Sequence, residues 1–145
     1  MLIYADTSFL ISLYGQDANS SEAQRIAAGL QAPFAFTPLH RHEARNAVRL
    51  AVFRKDITIG EGEAVLAAME QDEKAGVLAR SPVAWAEVFD QAEALSAAHT
   101  ADLGTRAMDI LHVAAASALG SEDFFTFDAR QKTLAGKAGL NVQPG

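Results

Sequence analysis

The sequence predicts an α/β fold built on a parallel β-sheet, and three observations support this prediction. Short apolar runs of strand length alternate along the chain with longer segments of helical periodicity. The opening stretch, Met1–Leu10 (MLIYADTSFL), is apolar up to Asp6, which is typical of a strand buried on both faces. Capping residues, glycines and prolines separate the segments. Such alternation implies parallel strands joined by right-handed crossovers.

The predicted elements cover most of the chain. The predicted strands are the run that ends at Asp6, Pro33–Thr37, Val77–Arg80, Asp123–Phe127 and Leu140–Val142. The predicted helices are Ser8–Tyr14, Ser20–Gly29, Leu39–Phe53, Gly60–Ala75, Ser81–His99, Arg106–Leu119 and Ala129–Ala138. Ser81 and Pro82 form a cap-and-proline helix start, Thr100–Gly104 is predicted as a loop, and Thr105 as the cap of the helix that follows.

Composition narrows the class of protein. The 145 residues, half of them hydrophobic, suffice for one domain, which we predict to span residues 1–145. A net charge of −6 argues against coating nucleic acid through bulk charge, but it leaves room for a local basic patch. The absence of cysteine excludes disulfides, zinc–thiolate sites and thiol catalysis. With no signal-peptide pattern and no membrane-spanning run, we expect a cytoplasmic protein.

Asp6 lies at the carboxyl end of the first predicted strand. In open parallel α/β sheets, ligands bind at this edge. An alternative of equal weight is that Asp6 or Ser8 caps the helix that begins there. The presence of other acids at the same edge would decide between the two.

Asp128 ends another predicted strand, with Thr126 beside it. If both strands are parallel in one sheet, Asp6 and Asp128 reach the same edge. The alternative is that Asp128 is a helix cap, with Gln131 three residues later completing a capping box.

Two further acids differ from those on solvated helix faces. Asp109 heads the apolar stripe of an otherwise apolar helix and therefore needs a partner, which the alternative interpretation assigns to Arg106. Glu43 lies near the start of a helix that follows a strand, where the helix dipole alone would also favour a carboxylate.

Taken together, these carboxylates predict a metal site. Crowded carboxylates repel one another and resist ionisation, and a hard divalent cation relieves that repulsion. Mg²⁺ and Mn²⁺ prefer oxygen ligands and often bind through one or two carboxylates, waters and substrate phosphate. Such a site activates water for displacement at phosphorus.

At these positions the chain resembles the PIN-domain nucleases, and among them most closely the VapC-type toxins of bacterial toxin–antitoxin pairs. The resemblance rests on four motifs in order over nearly the whole length. They are Tyr4-Ala5-Asp6-Thr7-Ser8, His42-Glu43-Ala44, the helix Arg106–Ala116 and Phe125-Thr126-Phe127-Asp128.

The resemblance implies a single PIN-like domain, a three-layer α/β/α sandwich around a mostly parallel sheet of four or five strands. It implies a divalent-metal endoribonuclease that uses Mg²⁺ or Mn²⁺ to cleave single-stranded or structured RNA. It assigns catalysis and metal binding to Asp6, Glu43, Asp109 and Asp128, and supporting roles to Ser8 and Thr126. A homodimer and a cognate antitoxin partner follow from the same likeness.

A basic ridge predicts where the substrate binds. Arg41, Arg45 and Arg49 recur every four residues along the helix that carries Glu43, which suggests a track for RNA phosphates. The alternatives are an ordinary solvated face or a surface for a protein partner. The histidines of the chain have no zinc-ligand spacing, so we expect structural roles for them.

Two other functions fit the sequence less well. A catalytically silent RNA- or protein-binding module on the same fold would have no need of the acidic set. A phosphatase with an aspartyl nucleophile typically has a second acid two residues after the first, whereas here that residue is Ser8.

Overall fold

The computed structural model describes residues 2–145, so Met1, the first residue of the predicted opening stretch, lies outside the described residues. The strands are β1 (Tyr4–Ala5), β2 (Phe34–Phe36), β3 (Leu78–Arg80), β4 (Asp123–Phe125) and β5 (Asn141–Gln143). The helices are α1 (Thr7–Tyr14), α2 (Ser20–Ala28), α3 (Pro38–Phe53), α4 (Ile59–Ala75), α5 (Trp85–Leu103), α6 (Ala107–Ala118) and α7 (Ala129–Lys137).

The chain divides into two compact units. The first comprises Ser81–Gly145 together with the described part of the segment that ends at Asp6, and the second comprises Thr7–Arg80. In the first unit, β1, β4 and β5 form a parallel sheet in that order, with Tyr4 opposite Phe124. In the second unit, β2 and β3 pair in parallel.

Aromatic side chains form the core of the first unit around β1 and β4. The Tyr4 ring stacks on the Phe124 ring at 5.5 Å, and both are fully buried. The Tyr4 hydroxyl lies 2.7 Å from Nδ1 of the buried His112, so this histidine has a structural role in α6. All residues from Ile110 to Ala116 are buried, which explains why the sequence of α6 is apolar on almost every side of the helix.

The core of the second unit joins helices α1, α3 and α4 to β2 and β3. The Phe9 and Phe34 rings lie 6.1 Å apart, and Val48, Met69 and Leu78 are buried. Two of its helices begin with a capping box, in which a threonine and the residue three positions later satisfy each other's backbone N–H groups. These pairs are Thr37 with His40 and Thr58 with Glu61.

The predicted α/β class with parallel pairing is confirmed. Across residues 2–145 the strand pairing gives one sheet of three strands and one of two. The three-layer arrangement around a single sheet stays a prediction. No helix in this part of the chain is long and apolar enough to span a membrane.

The predicted start and end of α5 were wrong. Ser81 and Pro82 do not open the helix, which begins at Trp85 after Ala84. Its C-terminal part continues through the predicted loop and ends only at Gly104, whose φ of 66° is the left-handed cap conformation. No residue in Thr100–Leu103 breaks a helix, so the helix continues until a glycine permits that conformation.

The predicted cap of α6 was also wrong. Arg106, and not Thr105, occupies the N-cap position, and it makes no side-chain capping bond. The Thr105 hydroxyl instead lies 3.2 Å from the Thr100 hydroxyl, within reach of a hydrogen bond.

A Thr→Ala series tests the helix caps. Thr37→Ala should lower the free energy of unfolding by about 2 kcal/mol and Thr58→Ala by about 1 kcal/mol, because Thr37 is buried and also contacts the His40 ring. Thr133→Ala is the matched control, since Thr133 is an exposed helical residue that caps nothing, and we expect a change within about 0.5 kcal/mol. Urea unfolding measures all three, and equal losses would contradict the capping assignment.

Candidate active site

Strand pairing places Asp6 beside Thr126. The β1–β4 register ends with Ala5 opposite Phe125, and the Asp6 N–H continues the ladder by donating to the Phe125 carbonyl oxygen at 3.0 Å. The next residues along the two strands are therefore Asp6 and Thr126. The Thr126 hydroxyl donates to Asp6 Oδ2 at 2.6 Å, and both residues are buried, Asp6 at 3% exposure.

Thr126 and Gln131 link Asp6 to Asp128 and to the main chain of Asp109. The Asp128 N–H donates to Thr126 Oγ1 at 3.1 Å, and the Gln131 N–H donates to Asp128 Oδ1 at 2.9 Å. The Gln131 side chain is buried, with Oε1 3.2 Å from Thr126 Oγ1 and Nε2 donating to the Asp109 carbonyl oxygen at 3.1 Å. One threonine and one glutamine therefore connect the Asp6 carboxylate, the Asp128 carboxylate and the main chain of Asp109.

Asp128 caps α7, as the alternative interpretation expected. Its capping box is half formed, because Gln131 donates its backbone N–H to the cap but turns its side chain toward Thr126 and Asp109. One cap bond uses Oδ1 and leaves the carboxylate free to accept at Oδ2. Capping and metal binding are thus compatible at this residue.

Asp109 pairs with Arg106, which was the alternative interpretation for this residue. Arg106 Nε lies 3.1 Å from Asp109 Oδ2, and the two side chains are 77% and 24% exposed. The hydrogen bond and the charge of Asp109 raise the pKa of Arg106, and the charge of Asp128 adds to the effect. The Asp109 carboxylate therefore faces a cation at the surface.

Glu43 belongs to the second unit, on α3, and accepts a hydrogen bond at Oε1 from the Thr7 hydroxyl at 2.8 Å. Thr7 is buried, whereas Ser8, the predicted supporting hydroxyl, is exposed in the first turn of α1. Thr7, the middle residue of the Asp-Thr-Ser motif, thus contacts the Glu43 carboxylate. The sequence reasoning missed this role of Thr7, and it assigned Gln131 only to a cap.

The three arginines of the basic ridge on α3 differ in their contacts. Arg41 Nη1 lies 2.8 Å from Glu73 Oε2, and Arg80 contacts the other oxygen of that carboxylate, which is 8% exposed. Arg45 is half-buried, and burial, together with the charge of Arg41, lowers its pKa. Arg49 is exposed. Arg41 therefore has a structural partner within its own unit, and the phosphate track stays a prediction.

A comparison with protein families decides the family. The model of the PIN domain matches residues 3–137. The chain belongs to the PIN domain family. This confirms the resemblance seen in the four sequence motifs.

Solved structures share the fold. This PIN domain is 21% identical to VapC20 of Mycobacterium tuberculosis, a toxin that cleaves the sarcin–ricin loop, with a TM-score of 0.69 over 95% of each chain. It is 17% identical to FitAcB from Neisseria gonorrhoeae, with a TM-score of 0.61 over 98% of this chain and 96% of that chain. At these identities the likeness concerns the fold. No curated protein sequence matched the chain.

The donor chemistry of the PIN domain's aspartates fits Mg²⁺ or Mn²⁺, which prefer oxygen ligands. Within residues 2–145 no group of three or more His, Asp or Glu side chains is already arranged to hold a metal ion. Mg²⁺ usually keeps several waters and takes one or two carboxylates together with substrate phosphate. The His40 ring is hydrogen-bonded to Thr37 within the α3 cap, a structural role that matches the expectation for the histidines.

A cavity of about 850 Å³ in the second unit is lined by none of the predicted site residues. Tyr14 lies in its wall and donates a short hydrogen bond to Asp72. Burial and that acceptor raise the pKa of Tyr14, so its phenol stays protonated at neutral pH. None of the four proposed metal-binding acids lines this cavity.

Substitutions at Thr126 test the link between Asp6, Gln131 and the α7 cap. Thr126→Val keeps the shape of the side chain but removes a hydroxyl that contacts all three, so we expect the free energy of unfolding to fall by about 1–3 kcal/mol. Thr126→Ser keeps the hydroxyl and should lose less. Thermal or urea unfolding compares the two, and an equal loss would show that the methyl group, not the hydrogen bonds, is responsible.

Proposed function

We propose that this PIN domain is a divalent-metal-dependent endoribonuclease that hydrolyses phosphodiester bonds in RNA. The observation that carries the proposal is the hydrogen-bond network of Thr126 and Gln131, which connects the carboxylates of Asp6 and Asp128 and the main-chain carbonyl of Asp109 beyond the ends of β1 and β4. Membership of the PIN domain family supports a nuclease at family level.

Asp6, Asp109 and Asp128 would hold the cation, and the resemblance adds Glu43 as the fourth acid of the set. A bound Mg²⁺ or Mn²⁺ supplies an activated water and stabilises the charge that develops on the phosphate during displacement. The Thr126 hydroxyl, through its bond to Oδ2, fixes the rotamer of the Asp6 carboxylate. The Thr7 hydroxyl does the same for Glu43 through Oε1.

The proposed substrate is RNA, and the proposed biological role is that of a toxin held in check by a cognate antitoxin. The fold shared with VapC20, a toxin that cleaves the sarcin–ricin loop, supports this proposal. Exposed apolar side chains, including Phe53 and Ile59 in the second unit and Phe89 in the first, are consistent with a homodimer or a protein partner.

Substitution of the acids tests the nuclease proposal. The full chain is incubated with single-stranded RNA in Mg²⁺, in Mn²⁺ or in chelator. Replacing an outer-shell partner of a metal ligand costs 10–100-fold, so Asp6→Asn, Asp128→Asn or Glu43→Gln should each slow cleavage by at least about 100-fold. Asn still caps helices, so Asp128→Asn keeps the start of α7. Asp90→Asn and Glu63→Gln, on exposed helix positions, are the charge-matched controls and should cleave like the unchanged protein.

Cleavage that survives both the chelator and Asp6→Asn would overturn the metal mechanism. Failure to cleave any RNA, together with normal growth on expression, would favour a silent binding module on the PIN fold.

A further inference from the structure

A small cavity of the first unit brings two arginines to two of the aspartates. Its volume is about 360 Å³, and it is lined by residues 104–106, Asp109 and residues 128–130. Arg106 and Arg130 are the cations in this wall, and both are exposed. Neither belongs to the basic ridge on α3.

We propose that Arg106 and Arg130 form a phosphate-binding subsite that holds a backbone phosphate of single-stranded RNA next to the acidic set. This inference rests on the proposed nuclease function, and it names how the substrate is held in the first unit.

The position of each arginine argues against a role in stabilising its own helix. Arg106 is the N-cap residue of α6, and Arg130 is the second residue of α7. The positive end of a helix dipole disfavours a cation in the first turn and favours an anion. Two arginines at two such helix starts, lining one cavity, are therefore unfavourable for the helices by themselves. A phosphate bound between the two arginines would bring negative charge to both helix starts, and the helix dipoles favour such a charge.

The present contacts of the arginines are weak enough to be exchanged. Arg106 uses Nε to reach Asp109 at 3.1 Å, and its side chain is 77% exposed, which is typical of a surface ion pair of small value. This contact does not use the Nη groups of the Arg106 guanidinium, whose planar arrangement of donors matches the oxygens of a phosphate. Arg130 Nη1 lies 3.5 Å from the Gly104 carbonyl oxygen, at the limit of a hydrogen bond. A phosphate oxygen offers both guanidinium groups a stronger, charge-assisted partner.

The two acids in the same wall indicate why the ligand is a nucleic acid. Asp109 and Asp128 are members of the acidic set, so a ligand in this cavity reaches the proposed reaction centre. An RNA chain bound along the cavity would place one phosphate at the arginines while the next phosphate binds with the cation held by the acids.

RNA binding without cleavage tests the subsite. The full chain carrying Asp6→Asn is titrated in chelator with fluorescent single-stranded RNA over a range of salt concentrations. Adding Arg106→Ala and Arg130→Ala should weaken binding roughly tenfold. The slope of log affinity against log salt should fall in magnitude by about 1.4, since each phosphate contact on a single strand contributes about 0.7. The Lys versions of both substitutions should keep most of the slope.

Arg25→Ala is the matched control. Arg25 is exposed and pairs with Glu22 three residues before it, much as Arg106 pairs with Asp109 three residues after it, but it lies on α2 in the second unit. Its loss should change the affinity less than about twofold, because it removes the same charge without a phosphate contact.

Three results would overturn the subsite: unchanged affinity in the double variant, an equal loss in Arg25→Ala, or no measurable binding by the starting protein. Cleavage by the chain with its native Asp6, assayed in parallel with Mg²⁺, decides the nuclease proposal separately. If the double variant binds RNA as tightly as the starting protein and the native chain cleaves RNA, only the subsite proposal is wrong. If binding depends on the two arginines but the native chain does not cleave RNA, only the nuclease proposal is wrong.

Discussion

The hydrogen bond from the Thr126 hydroxyl to Asp6 Oδ2 is the interaction on which the arrangement of the first unit's acids depends. It joins residues that are 120 positions apart, at the ends of the paired strands β1 and β4. Thr126 also accepts the Asp128 N–H and lies within hydrogen-bond distance of Gln131. One buried hydroxyl therefore sets the position of an acid on the sheet and of the turn into α7. Loss of this hydroxyl would remove hydrogen bonds at several groups at once, as is usual for buried polar networks.

Two helix starts of this PIN domain carry residues of the proposed site. Asp128 caps α7 and also lines the cavity that holds Asp109. Arg106 occupies the cap position of α6 without capping it, which forgoes a stabilising interaction at that helix. Natural proteins break such local rules mainly at functional sites. The unusual start of α6 therefore agrees with an anionic substrate at this end of the unit.

The ion pairs of Arg41 and Arg80 differ in kind from that of Arg106. Arg41 and Arg80 share the nearly buried carboxylate of Glu73, one on each of its oxygens. Arg106 contacts a carboxylate that the proposed mechanism needs for another purpose, and its side chain is mostly in water. An exposed pair is weak and exchangeable, whereas a carboxylate held between two guanidinium groups is better suited to structure.

The sequence by itself determined the α/β class, nearly all the elements, the family and the positions of the candidate acids, because periodicity, caps and strand ends are encoded within a few neighbouring residues. Only the tertiary structure decided the partners: Thr126 for Asp6, Thr7 for Glu43 and Glu73 for Arg41. It also turned the Gln131 side chain away from its cap. These choices depend on strand register and on packing between distant segments, which no local pattern records.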